Sequence, residues 1–329
     1  MKILVTGAAG FIGSHLVERL VALHHEVFGL DNFDPYYDPD LKRLNLATAL
    51  SCQRFHLVEG DCRDRVFVGR LIDAGVQVLV HLAAQPGVRR SLEEPEAYAK
   101  AGVEGTVAVL EACRRSDVRH FIFGSSSSVY GLSRNIPFKE DDSQLQPASP
   151  YGASKLAAEV YCATYHRLYA LPVSVLRFFT VYGPRQRPDM AIHRFARLID
   201  EGKPVLVYGD GTSRRDYTYI DDVVDGIIRT IERPDNYQVY NLGNSETVAL
   251  RDLIPILEHA LGKKAILSPQ PPQLGDVPVT YACIDRAVQF LGYSPKVKIQ
   301  EGVRRFVVWF RADRVVAATL WASVNDGAL

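Results

Sequence analysis

The chain has 329 residues, with 38 lysines and arginines against 38 aspartates and glutamates, 47% hydrophobic and 23% charged. That composition argues against a disordered, collagen-like or coiled-coil protein, and the zero net charge argues against a general nucleic-acid partner. At roughly 150 residues per domain the length suggests one large domain or two, with a core that needs no disulfides.

The first half alternates short β-branched runs with helical patterns. Lys2 to Thr6 reads as a buried strand, Phe11 to Leu23 as a helix and Val27 to Leu30 as a second strand. Phe55 to Glu59, Val76 to Ala83, Phe121 to Ser125 and Val173 to Phe178 continue the strand series. Helical segments fall near Val66–Ala74, Pro95–Arg115 and Tyr151–Leu168. This alternation predicts an α/β fold, a Rossmann-type doubly wound parallel sheet. After about residue 180 glycine and proline punctuate the chain heavily, which predicts a smaller C-terminal α/β substrate lobe of shorter elements. The expected division is 1–179 for dinucleotide binding and 180–329 mainly for substrate, with some segments returning to the first domain. Ser268 to Pro278 holds four prolines and reads as an irregular loop; Gly262, Gly292 and Pro295 mark helix ends or turns; Phe310 to Leu329 reads as a helix.

Cys52, Cys62, Cys113, Cys162 and Cys283 include no C-x-x-C pair. The spacing argues against a metal site or a disulfide framework and fits a reducing, cytoplasmic location. No apolar run reaches the roughly 18 residues of a bilayer span, so no membrane association is expected.

Gly7-Ala8-Ala9-Gly10-Phe11-Ile12-Gly13 follows the first strand directly and opens the first helix. Glycines there allow a tight reversal, close backbone approach to a pyrophosphate and close helix–strand packing, while the helix N-terminus offers free N–H groups. Asp31, at the end of the second strand, can accept from an adenosine ribose and would repel a 2′-phosphate, which favours NAD; it also reads as a turn residue beside Asn32. Asp61 and Cys62 close the third strand and face the adenine in this reading. Leu82, Ala83, Ala84 and Gln85 follow the fourth, where small side chains leave room for a dinucleotide; His81 reads as a packed strand residue.

Tyr151 and Lys155 are spaced Y-x-x-x-K, which puts phenol and ammonium on one helix face. The nearby cation would lower the phenol pKa toward a working range. Ser125, Ser126, Ser127 and Ser128 end the preceding strand, and Ser126 can share a proton with the tyrosine at a substrate oxygen.

Together these motifs resemble the extended short-chain dehydrogenase/reductase family, the nucleotide-sugar epimerases and dehydratases, over about residues 2 to 310. The resemblance implies NAD as cofactor, Tyr151, Lys155 and Ser126 as catalytic residues, and a cofactor site that also includes Ser125 and Phe178. The run His81 to Ser91, the segment Asp31-Asn32-Phe33 with Tyr36-Tyr37-Asp38, and Arg177 to Met190 are similar to the UDP-glucuronate 4-epimerase group. That likeness implies reversible epimerisation of UDP-glucuronate and UDP-galacturonate at C4. It implies substrate contacts from Pro86, Arg89, Ser126, Ser127, Ser128, Thr180, Arg187, Arg215 and Asp276, with Arg187 on the uronate carboxylate and Arg215 on the diphosphate. Gln273 replaces an arginine common in galactose epimerases, and Ser127 and Ser128 replace the acidic residues of dehydratases and decarboxylases. Arg89, Arg187 and Arg215 are expected to converge on one cleft. Gly102 stands where the family has asparagine, and Arg90 where it has tyrosine. A homodimer through the Pro95–Arg115 and Tyr151–Leu168 helices is implied as well. Another UDP-sugar 4-epimerase, acting on UDP-glucose or UDP-N-acetylglucosamine, and a non-catalytic NAD-binding sensor of the same fold are the competing readings.

Overall fold

The structure is a computed structural model that describes residues 1–272 and 275–326, with side chains described as far as residue 312. Its centre is a seven-stranded parallel sheet. In chain order the strands are β1 (Lys2–Thr6), β2 (Glu26–Asp31), β3 (Phe55–Glu59), β4 (Val78–His81), β5 (His120–Ser126), β6 (Val173–Phe178) and a last strand, Tyr237–Leu242. Across the sheet they run β3, β2, β1, β4, β5, β6, Tyr237–Leu242. The order reverses between β1 and β4, and a crevice at the carboxyl ends of strands is expected at such a switch point.

Alternation along the strands serves two cores. Ile3 and Val5 of β1 face one core with Leu16, Val17 and Leu20 of the first helix, α1 (Phe11–Ala22), while Leu4 faces the other with Val68, Val109 and Ala158. Helices Arg65–Ile72, Gly105–Arg114 and Pro150–Tyr169 therefore cover one face, and α1 with Ile220–Glu232 covers the other. Burial on both faces is why these strands read as continuous apolar runs rather than alternating ones.

The second half holds two small sheets, Thr247–Ala249, Arg214–Tyr219 and Thr180–Tyr182 in one, Ile266–Gln270 and Pro204–Tyr208 in the other. Ser268 to Gln270 thus lies in a parallel strand, where the prolines suggested a loop; Pro269 is tolerated because this is a two-stranded sheet with an open edge. The elements there are not uniformly short: Ile220–Glu232 has 13 residues and the C-terminal helix Ile299–Asp326 has 28. Gly262 and Gly292 close helices in the left-handed conformation, each at φ +66°, as expected. Among the described residues no helix is long and apolar enough to cross a membrane.

Candidate active site

The turn after β1 is built on contacts that only glycine permits. Gly7 sits at φ +72°, and a Cβ there would lie 2.8 Å from the Ala83 amide nitrogen. A Cβ at Gly13 would lie 2.1 Å from the Gly7 carbonyl oxygen. Gly10 caps α1 without a side chain, so the first amides of the helix keep their N–H groups for an anion. Asp31 fixes this turn from below: its Oδ2 accepts from Ala9 N at 2.9 Å and its Oδ1 from Phe33 N at 2.9 Å. The carboxylate is a fastening of the turn, and it also lines the cavity beside it. Asp61 is held by Arg63, Nη2 to Oδ2 at 2.6 Å, which keeps its carboxyl below the usual range. Burial pushes the Cys62 thiol up to about 12.

His81 is fully buried at the end of β4. Its Nδ1 lies 2.7 Å from Thr6 Oγ1 and its Nε2 3.3 Å from Thr106 Oγ1. Thr106 donates to Gly102 O at 2.6 Å and Thr6 accepts from Ala83 N at 3.2 Å. The only consistent proton placement has Nε2–H donating to Thr106 and Nδ1 accepting from Thr6. Desolvation accordingly lowers the imidazole pKa to about 3, with Lys155 adding to the effect. His81 is a structural link beneath the Leu82–Ala84 ledge, as expected for a packed strand residue. Gly102 lies in a single π-helical turn, Lys100–Glu104, that interrupts the helical stretch from Pro95 to Arg114. A Cβ there would lie 2.8 Å from Ser154 Oγ, so the glycine lets this turn press against the Pro150–Tyr169 helix.

That helix begins at a Ser149 cap, whose Oγ accepts from Gly152 N at 3.1 Å, with Pro150 in its first turn. Tyr151 and Lys155 face the cavity together with Ser126, whose Oγ donates to Ser128 Oγ at 3.1 Å. Burial raises the Tyr151 pKa, opposed by the neighbouring Ser126 hydroxyl and the Arg187 charge. Arg187 is thus a second cation on this phenol besides the Lys155 expected from the spacing. The Lys155 ammonium donates to Gly124 O at 2.6 Å, and burial lowers its pKa to about 8.

One turn beyond Lys155, Glu159 forms a buried pair with Arg177, 2.7 Å between Oε2 and Nη2. Ser125 Oγ donates to the same carboxylate, and Arg177 Nη1 donates to Tyr130 Oη at 2.9 Å. Tyr130 in turn donates to Asn241 Oδ1 at 2.7 Å. This network pins the end of β5, and with it Ser126, to the Pro150–Tyr169 helix and the last strand. Sequence reading missed it, although Glu159 stands four residues after Lys155 and repeats its helix face.

All of the sequence-predicted cofactor residues line one cavity of about 1030 Å³, as do Pro86, Ser126, Ser127, Ser128, Tyr151, Thr180 and Arg187. Arg89, Arg215 and Asp276 do not. Arg89 stacks on Tyr208, its Cζ 5.1 Å from the ring centroid, and Arg215 pairs with Asp276 at 3.7 Å. Of the three arginines expected to converge, only Arg187 lines this cavity. Gln273 lies outside the described residues. Around Arg187 the structure adds Asp189, Tyr36 and Arg90, none of which the sequence motifs marked for contact with it. The glycine-cradled turn, the uncapped α1 and the ledge of small residues fit a dinucleotide, and the Tyr151 end of the cavity leaves room for a second ligand.

The description "NAD dependent epimerase/dehydratase family" matches residues 3–243 of this chain. A probable UDP-glucuronate 4-epimerase of Rhizobium meliloti is 39% identical over 94% of this chain and 97% of its own length. UDP-glucuronate 4-epimerase 1 of Arabidopsis thaliana is 41% identical over 94% of this chain and 76% of its own. The crystal structure of UDP-glucuronic acid 4-epimerase from Bacillus cereus in complex with UDP-glucuronic acid and NAD superposes with a TM-score of 0.91 at 39% identity, covering 95% of this chain and 99% of that one.

Proposed function

Since the chain belongs to the NAD dependent epimerase/dehydratase family, we propose that it interconverts UDP-glucuronate and UDP-galacturonate by oxidation and re-reduction at C4. The observation that carries this reading is the position of Arg187. Its guanidinium lines the same cavity as Tyr151, Ser126 and Thr180, where it can take a carboxylate in two parallel hydrogen bonds. Ser127 and Ser128 place no acid or base beside the sugar for elimination at C5.

NAD, when bound, accepts the C4 hydride and returns it to the opposite face of the sugar. Gly7, Gly10 and Gly13 would hold its pyrophosphate, Asp31 and Asn32 its adenosine ribose, and Lys155 its nicotinamide ribose. Tyr151 removes the proton of the C4 hydroxyl, with Ser126 sharing its hydrogen bond, and gives it back in the second half-reaction. Arg187 helps the phenol ionise, because its charge lies close enough to favour the phenolate. The intermediate 4-keto uronate is a β-keto acid. Arg187 holds its carboxylate so that the scissile C–C bond stays out of line with the carbonyl π-system. On this reading Arg215, which pairs with Asp276 at 3.7 Å, would reach the substrate diphosphate.

The test is incubation of the purified protein with UDP-glucuronate and NAD, followed by separation of UDP-galacturonate from UDP-pentoses. An equilibrium mixture of the two uronates is expected, abolished by Arg187→Ala. A UDP-pentose as main product, or turnover of neutral UDP-sugars alone, refutes the reading.

A homodimer belongs to the same proposal. Val160, Tyr161, Leu168 and Tyr169 are exposed on one half of the Pro150–Tyr169 helix, 59%, 42%, 64% and 46% respectively. Light scattering should give twice the chain mass, and a Val160→Lys/Leu168→Lys variant should run as a monomer. The five free thiols support a reducing, cytoplasmic setting.

A further inference from the structure

Arg187 is not a free cation waiting for a ligand. Its Nε donates to Asp189 Oδ1 at 3.0 Å and its Nη2 to Asp189 Oδ2 at 3.0 Å. A guanidinium has two edges that can meet a carboxylate, one through Nε and Nη2 and one through both Nη atoms. Asp189 takes the first. Among the described residues, the hydrogen bonds of Arg187 run only through Nε and Nη2, so the Nη1 edge is left without a protein partner.

Asp189 is itself clasped. Tyr36 Oη donates to Asp189 Oδ2 at 3.1 Å, and two cations approach the Tyr36 ring, with Arg90 Cζ 5.0 Å and Arg187 Cζ 5.8 Å from its centroid. The ring rests on bare backbone: a Cβ at Gly87 would come within 2.3 Å of the Tyr36 hydroxyl. Its loop is tied by Tyr36 N to Asp34 Oδ1 at 2.9 Å and by Lys42 Nζ to Asp34 O at 2.7 Å. Two distant parts of the chain thus converge on one carboxylate, and that carboxylate sets one arginine.

We propose that Asp189, held by Tyr36, is a positioning residue for uronate specificity, which locks the Nε edge of Arg187 and aims the Nη1 edge at the substrate carboxylate. This rests on the proposed role of Arg187. A guanidinium on a long side chain otherwise loses much of its binding energy to rotamer ordering. A pre-set one meets the uronate without that cost, while a neutral hexose gains nothing from it.

The experiment compares Asp189→Ala and Tyr36→Phe with wild type in steady-state turnover of UDP-glucuronate, with UDP-glucose as a competitive inhibitor that lacks the carboxylate. Asp189→Ala should raise KM for UDP-glucuronate about tenfold, the scale of one weakened charge-assisted contact. Its kcat should change less than about threefold, and the UDP-glucose inhibition constant should stay within about twofold. Tyr36→Phe, which removes one hydroxyl and no charge, should move KM in the same direction by a smaller factor. In an Arg187→Ala background the Asp189 substitution should have no further effect on residual binding of UDP-glucuronate.

A fall in KM in Asp189→Ala overturns the proposal, because Asp189 would then be a competitor for Arg187. So does an equal weakening of UDP-glucuronate and UDP-glucose, or a KM effect that persists without Arg187, since either marks a general structural role. If wild type shows no dependence of uronate binding on Arg187 at all, the reading of the substrate has failed instead, and the two failures are told apart by the Arg187→Ala control.

Discussion

Acid should loosen this protein through His81, and the size of the effect follows from its surroundings. The imidazole has no water contact, its Nε2–H is committed to Thr106, and its Nδ1 accepts the Thr6 hydroxyl. A second proton on Nδ1 would leave the Thr6 hydroxyl facing a donor and bury an uncompensated charge. The folded pKa is about 3 against 6.5 for the unfolded chain. The folded value is the lower one, so below pH 6.5 the unfolded state binds a proton that the folded state refuses, and stability falls with pH. Between pH 7.5 and pH 5 the loss is about 2 kcal/mol from this residue alone, and any folded pKa at or below about 4 gives the same figure. The assay is urea unfolding of the cofactor-free protein at both pH values, wild type against His81→Asn. His15 and His120, whose pKa values are also lowered to about 4 by burial, contribute equally to both proteins and cancel. Wild type should lose about 2 kcal/mol more than the variant across this window. Parallel losses, within about 0.5 kcal/mol, would refute the neutral-link argument for His81.

Three further outcomes follow from the geometry. Gly13→Ala forces a Cβ to 2.1 Å from Gly7 O, where only backbone can yield; an overpacking cost of about 1–3 kcal/mol should appear as a tenfold or greater drop in NAD affinity by calorimetry. Arg177→Met strands the Glu159 carboxylate and should cost about 3–5 kcal/mol in chemical unfolding, with much of it recovered in Arg177→Met/Glu159→Leu. Lys155→Met should abolish turnover yet stabilise the cofactor-free protein at pH 7. Burial lowers the Lys155 pKa from 10.5 to about 8, so below pH 8 the fold carries a buried charge at a cost of about 3 kcal/mol, partly offset by its hydrogen bond to Gly124. Between pH 8 and 10.5 the unfolded chain holds a proton that the folded one lacks, and stability rises with pH; the advantage of the variant should therefore shrink across that window.

Local chemistry made much of this molecule legible in advance. Lys2–Thr6 and Val173–Phe178 are readable to the residue because strands buried on both faces are dense in apolar side chains, and the half-exposed edge strand Phe55–Glu59 through its apolar residues Phe55, Leu57 and Val58. The glycine turn and the Tyr151–Lys155 spacing are short-range patterns whose meaning depends on one element each. What escaped the reading was long-range. Nothing near Arg177 in the chain announces Glu159, and nothing near Asp189 announces Tyr36, 153 residues away. Lys155 was placed on the right face, but its partner is a carbonyl on β5, which no spacing rule reveals. The prolines at 268–278 concealed a short edge strand, because a two-stranded sheet tolerates what a central strand would not. The π-helical turn at Lys100–Glu104 is not legible either, since Gly102 in it packs against Ser154 on another helix, a contact no local pattern reveals.

Asp31 carries a consequence for anyone who would redesign the protein around a different coenzyme. Replacing an acidic residue at the end of the second strand is the obvious route to accepting a 2′-phosphate. Here both oxygens of that carboxylate already fasten backbone amides, one of them in the glycine turn. With the ribose role proposed for Asp31, discrimination between coenzymes and the shape of their docking platform would rest on one side chain. An exchange of preference would have to rebuild the Ala9 and Phe33 anchors at the same time, so a single substitution is a dead end in this scaffold and a coupled set of changes is the shortest accessible path.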